Sequence, residues 1–140
     1  MATTEIIARA VIPGERGVLL ARHHAKSWHF LPGGHVEPGE QVEAALKREI
    51  REELAADSEI TGFVGVVEHQ YTEDGQLHHE LNFVFTVAVP GEPESNEDHL
   101  IFDWVPREQL PELDVRPAAL KDALLAAAEE AIPFWHPYSE

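Results

Sequence analysis

The segment that most constrains this chain runs from Gln41 to about Ala56, QVEAALKREIREELAA, because it reads as a helix that carries acids where apolar side chains belong. Each residue of an α-helix turns its side chain by about 100°, so with Val42 at zero, Leu46 falls at about 40°, Ile50 at about 80° and Leu54 at about 120°. Those four define the face such a helix buries. Glu53 falls at about 20° and Glu49 at about −20°, in or beside the same sector, with Glu52 further round at about −80°. Burying unpaired carboxylates is costly and crowding them raises their pKa values, unless a cation holds them together. Two readings follow. Either the acids pair with arginines on a solvated face, as Arg48 would with Glu52 one turn on, or an ion sits among them.

The residues just upstream favour the ion. Trp28 to Glu40, WHFLPGGHVEPGE, reads as a short apolar strand, a proline, two glycines, another turn and the helix start. Paired glycines let the backbone turn sharply and bring a carbonyl close to something bound. A carbonyl with carboxylates makes an all-oxygen site, which suits Mg²⁺ or Mn²⁺ better than zinc. The chain has no cysteine, so disulfides, thiolate nucleophiles and sulfur-bound zinc are excluded, as fits a reducing cytoplasm. The histidine pairs His23–His24 and His78–His79 point to opposite faces of a strand and do not share one ion.

Gly34, Glu40, Arg48, Glu49, Ile50, Glu52 and Glu53 stand at the spacings of the pattern G-x5-E-x7-R-E-U-x-E-E-x-G-U, where U is aliphatic. Over Gly34 to Ala56 the chain thereby resembles the Nudix hydrolase family, of the MutT-like kind. It departs at the end: Ala55 replaces the usual glycine and Ala56 is a small aliphatic. An alanine there is expected to extend the helix slightly or shift the next loop, removing no ligand.

The resemblance implies the roles. Glu49 and Glu53 would be the core ligands of Mg²⁺ (or Mn²⁺), joined by Glu52 and the main-chain carbonyl of Gly33. Arg48 would orient a glutamate through an ion pair, Glu40 would brace the loop against the helix, and Glu52 would be the general base. The reaction would be hydrolysis of a pyrophosphate bond in a nucleoside diphosphate linked to another group, with metal and base activating water. Nucleoside triphosphates, oxidised or not, ADP-ribose, sugar nucleotides and dinucleoside polyphosphates all present that bond. The alternative is a non-catalytic Nudix-fold sensor, against which the intact acids argue. An acid outside the box often completes such sites, and Glu97 and Glu80 are the candidates, each also readable as a plain surface charge. Trp28 or Phe30 would stack on a base unless it packs in the core, and His35 and His79 would touch phosphate or base. Tyr71 stands where some diadenosine polyphosphate hydrolases carry a tyrosine, while LLARHHAKSWHFLPGG does not meet the coenzyme A pyrophosphatase pattern.

The rest of the chain supplies a scaffold. Glu5–Ile12, Gly17–Arg22, Gly62–Tyr71, Leu77–Val89 and Ile101–Val105 alternate or run apolar as strands do. In Leu77–Val89, Leu81, Phe83, Phe85, Val87 and Val89 share one face, opposite His78, Glu80, Asn82, Val84 and Thr86. PGERG and EDGQ separate neighbouring strands by hairpin distances. A second helix is expected over Pro117 to about Ile132, its stripe carried by Leu120, Leu124 and Leu125. These elements predict an α+β fold, a mixed β-sheet sandwiched between α-helices, as one domain over residues 1–140. A formal charge of −16 repels phosphate backbones and excludes a nucleic-acid partner, whereas a small anionic nucleotide is acceptable once a local cation reverses the field. No run is apolar enough for a membrane span, and the N-terminus does not read as a secretory signal. The aromatic tail Phe134, Trp135 and Tyr138 offers a surface to a second subunit, leaving a homodimer open.

Overall fold

In the computed structural model, which describes residues 2–128 and 132–137, the sheet grows from two hairpins. Ala2–Gly14 (β1) turns at Glu15–Arg16 into Gly17–His23 (β2), and Glu59–Glu73 (β4) turns at Asp74–Gly75 into Gln76–Ala88 (β5). Both pairs are antiparallel, as the turn signals predict. The hairpins join through a long parallel pairing of β1 with β5, from Ala2↔Leu77 to Val11↔Thr86. Leu100–Val105 (β6) extends the β2 edge, and Phe134–His136 (β7) lies parallel to β4. The order is therefore β6-β2-β1-β5-β4-β7, a mixed sheet.

Alternation sends successive side chains to opposite faces, and a helix covers each. Val42–Leu54 (α1) sets Leu46, Ile50 and Leu54 against Ala8, Ala10, Ile12, Leu19, Phe85 and Val87. Ala119–Ala128 (α2) sets Leu120, Ala123 and Leu124 against Val11, Leu20, Val67 and Val84 on the other side. The fold is α+β, a sheet between helices.

Three expectations need correction. The reading of Glu80 as a plain surface charge fails: it is 7% exposed, with Asn82 and Val84 on the same face at 0%, because β5 is central and covered on both sides. The expected strand at Trp28 reduces to isolated bridges, Ala21↔Phe30 and His29↔Val115. Its glycines instead form Gly33–His35 (β3), antiparallel to β1 with Arg9 opposite Gly33. Gly33 holds φ 137°, and a Cβ there would sit 2.0 Å from the Ala8 carbonyl oxygen. Finally, α1 ends at Leu54 rather than near Ala56, since Ala55 takes the left-handed conformation (φ 51°, ψ 37°) and its N–H bonds the Arg51 carbonyl. The alanine stops the helix where a glycine would, without extending it.

In the tail, Phe134 packs on this chain's own core and Trp135 Nε1 donates to Glu68 Oε2 at 2.9 Å. Tyr138 lies outside the described residues.

Candidate active site

The inner face of α1 carries acids as the wheel predicts. Glu53 is 6% exposed, and its Oε2 accepts the Gly33 N–H at 3.2 Å. Burial, the nearby Glu49 charge and, more weakly, Glu97 push the Glu53 carboxyl up to about 8, with the Gly33 N–H and Arg9 pulling the other way. Burial also raises Glu49, opposed by Arg48. Glu49 lies flat against Gly34, where a Cβ would fall 2.5 Å from the carboxyl carbon, so the glycine makes room for the acid.

Glu52 is half exposed and belongs to the solvated side of the helix. Arg48 ties the box together. Its Nε and NH2 donate to Glu40 at 2.9 and 3.1 Å, NH1 donates to Glu49 at 3.1 Å and Glu52 at 3.3 Å, and NH2 also reaches the His35 carbonyl at 3.1 Å. Glu40 in turn accepts the Glu37 N–H, and its carboxyl is held below the usual range, chiefly by Arg48. Both readings of the helix thus hold for different residues: Arg48 pairs with Glu52, while Glu49 and Glu53 face inward.

The loop 89–99 closes over the end of α1. Asn96 donates its N–H to the Glu53 carbonyl at 2.7 Å and its side-chain amide to the Glu52 carbonyl at 3.2 Å. This brings Glu97 close enough to act on Glu53. Glu80 lies elsewhere, buried near Asn82 and Arg9 on the wall of a cleft. Trp28, Phe30, Tyr71 and Arg116 line the same cleft, of about 630 Å³. Arg116 sits 5.3 Å over the Trp28 ring, and Tyr71 stacks on His78 at 4.7 Å and on His69 at 5.5 Å. His35 stays outside, mostly exposed, with Nε2 2.7 Å from Glu5. His79 pairs with Glu68 at 2.9 Å.

Sequence reasoning missed Arg9, Asn82 and Asn96. A lone arginine in the apolar run IIARAVI was the available signal for the first; the other two depend on contacts distant in sequence.

Among the described residues, no three acids or imidazoles are drawn together tightly enough to enclose a metal ion. The donor set nevertheless fits one. Two inward carboxylates a helical turn apart, both with raised proton affinity and pressed against a glycine strand, are the hard oxygen ligands a divalent cation prefers.

A mixed sheet between two helices, with an acid-bearing helix clasped to a glycine strand beside an aromatic cleft, defines the class. The chain belongs to the Nudix family: the NUDIX domain matches residues 4–125. It is 36% identical over 100 residues to the nucleoside triphosphatase NudI of Escherichia coli O1:K1 / APEC, which covers 65% of this chain and 70% of that protein. Among solved structures, it resembles a MutT protein from Methanosarcina mazei Go1 (TM-score 0.77, 25% identity, 92% of this chain and 96% of that one). It also resembles a MutT Nudix hydrolase from Burkholderia pseudomallei (TM-score 0.68, 27% identity, 89% and 98%). The protein is a pyrophosphohydrolase of this family.

Proposed function

We propose that the chain hydrolyses nucleoside triphosphates with the help of Mg²⁺ or Mn²⁺ in the cytoplasm. The observation that carries this reading is the inward pair Glu49 and Glu53 beside Gly33 and Gly34. The 36% identical relative, named a nucleoside triphosphatase, favours triphosphates over the other pyrophosphates the box accepts.

Glu49, Glu53, Glu52 and the Gly33 carbonyl would hold the ion, with Glu97 from the loop to complete the set. When bound, the ion offsets phosphate charge and makes water more acidic. Arg48 orients Glu49 and Glu52 through the bonds that run on to Glu40. Glu52, the most exposed of the four box acids, takes the proton from the attacking water. The water oxygen joins phosphorus as the anhydride P–O bond breaks, separating a nucleoside monophosphate from the remaining phosphates. Trp28 offers the base an aromatic wall, with Tyr71 and Glu80 lining the same cleft, while His35, outside the cleft, would have to leave Glu5 to reach a phosphate.

A panel of nucleotides with Mg²⁺, products identified by mass, tests this directly. Glu53→Gln is expected to lose nearly all turnover while keeping a cooperative melt, and Mg²⁺ should raise the melting temperature of the wild type but not of the variant. Turnover by Glu53→Gln at the wild-type rate sinks the assignment.

A further inference from the structure

Arg9 has no task in the scheme above, yet its placement is costly. It stands in the middle of β1 between Ala8 and Ala10, both 0% exposed, and pairs in register with Gly33 on one side and Val84 on the other. Its guanidinium is held by neutral acceptors: Nε donates to Asn82 Oδ1 at 3.2 Å and NH1 to the Leu31 carbonyl at 2.9 Å. Asn82 is 0% exposed and is itself fixed by its amide donating to the Val67 carbonyl at 3.3 Å. Glu80, Glu53 and Glu49 surround Arg9 at longer range, but among the described residues none of them comes within ion-pair distance of it. NH2 has no protein acceptor among the described residues, and Arg9 lines the aromatic cleft.

A withdrawn cation that hydrogen-bonds only neutral groups, with its carboxylates left at longer range, is destabilising compared with a well-packed apolar side chain. Such a charge makes sense when an anion completes it. The other nearby arginines are engaged. Arg48 is saturated by Glu40, Glu49, Glu52 and the His35 carbonyl, and Arg116 is bound to Asp114 at 3.1 Å while covering Trp28. Arg9 alone among these faces the inward acids of α1 on one side and the cleft on the other. In a chain of formal charge −16, it is the fixed positive point at the junction where phosphate must meet base.

We infer that Arg9 anchors the nucleoside-side phosphate of the substrate, held in aim by Asn82 and the Leu31 carbonyl. The inference rests on the hydrolysis of nucleoside triphosphates proposed above. It requires a phosphate contact that does not depend on metal, which separates it from the phosphate binding expected of the α1 acids and their ion.

The test is calorimetry in EDTA with a nucleoside 5′-monophosphate and the matching nucleoside, the base being that of the triphosphate hydrolysed fastest. The wild type is expected to bind the monophosphate about 10- to 100-fold more tightly than the nucleoside, the range for hydrogen bonds to a charged group. Arg9→Gln and Arg9→Met should bind the two alike. With saturating Mg²⁺ the same variants should raise KM for the triphosphate by about the same factor and change kcat less. A wild type without metal-free preference for the monophosphate overturns the assignment whether or not the variants fold. So does retention of the preference in either folded variant, or its loss in Arg116→Gln with Arg9 intact. If the wild type neither binds nor hydrolyses any triphosphate with Mg²⁺, the parent reading fails; if it hydrolyses one and the metal-free preference is missing, only the role of Arg9 fails.

Discussion

Glu53 is the residue on which burial, charge and chemistry converge. Its carboxyl sits at about 8 in the folded chain, against about 4.3 for a free glutamate. Between those values the folded state holds a proton that the unfolded chain has released, so the unfolding free energy falls as pH rises through that window. In EDTA the wild type should therefore melt at a lower temperature near about pH 8 than near about pH 5, with Glu53→Gln showing a smaller decline. Equal declines in the two proteins would contradict the buried, proton-holding acid. A divalent cation competes with that proton, so metal affinity should rise with pH over the same range. Glu49 is raised by burial and opposed by Arg48, and Gly34 gives it the space to lie inward.

At the scale of the element, α1 owes its useful shape to how it ends. Ala55 takes a left-handed conformation that its Cβ disfavours by about 1–2 kcal/mol. Ala55→Gly removes that strain but gives part of the gain back to the greater entropy of the unfolded chain, so the variant should be more stable by about 0.5–1 kcal/mol in urea melts. A destabilised Ala55→Gly would mean that the alanine methyl is packed usefully after all. The strain persists because Asn96 clamps the same helix end through the Glu52 and Glu53 carbonyls, and that clamp also delivers Glu97. Ala55 adds no ligand, the clamp brings in the acid proposed to complete the set, and both bear on where the last turn of acids points.

Across the whole molecule, a formal charge of −16 opposes the approach of an anionic nucleotide. With metal saturating, kcat/KM should rise as ionic strength goes from about 0.01 to about 0.15 M, because screening weakens the long-range repulsion more than contacts inside the site. A fall over that range would point to local attraction as the dominant field. What the sequence determined by itself is whatever repeats locally: the 3.6-residue period of α1 turned Glu49 and Glu53 inward, and the turn signals PGERG and EDGQ made two hairpins. The helix end at Ala55 is local too, a cap that spacing alone could not distinguish from an extra helical residue. The tertiary structure decided what depends on distant pairing. Parallel alignment of β1 with β5 set Arg9 beside Asn82, 73 residues away in sequence, and buried Glu80, which also read as a plain surface charge. The physical reason is that periodicity records which side of an element is apolar, while only the packing of both helices on the sheet decides whether its polar side meets water, a cleft or another charge.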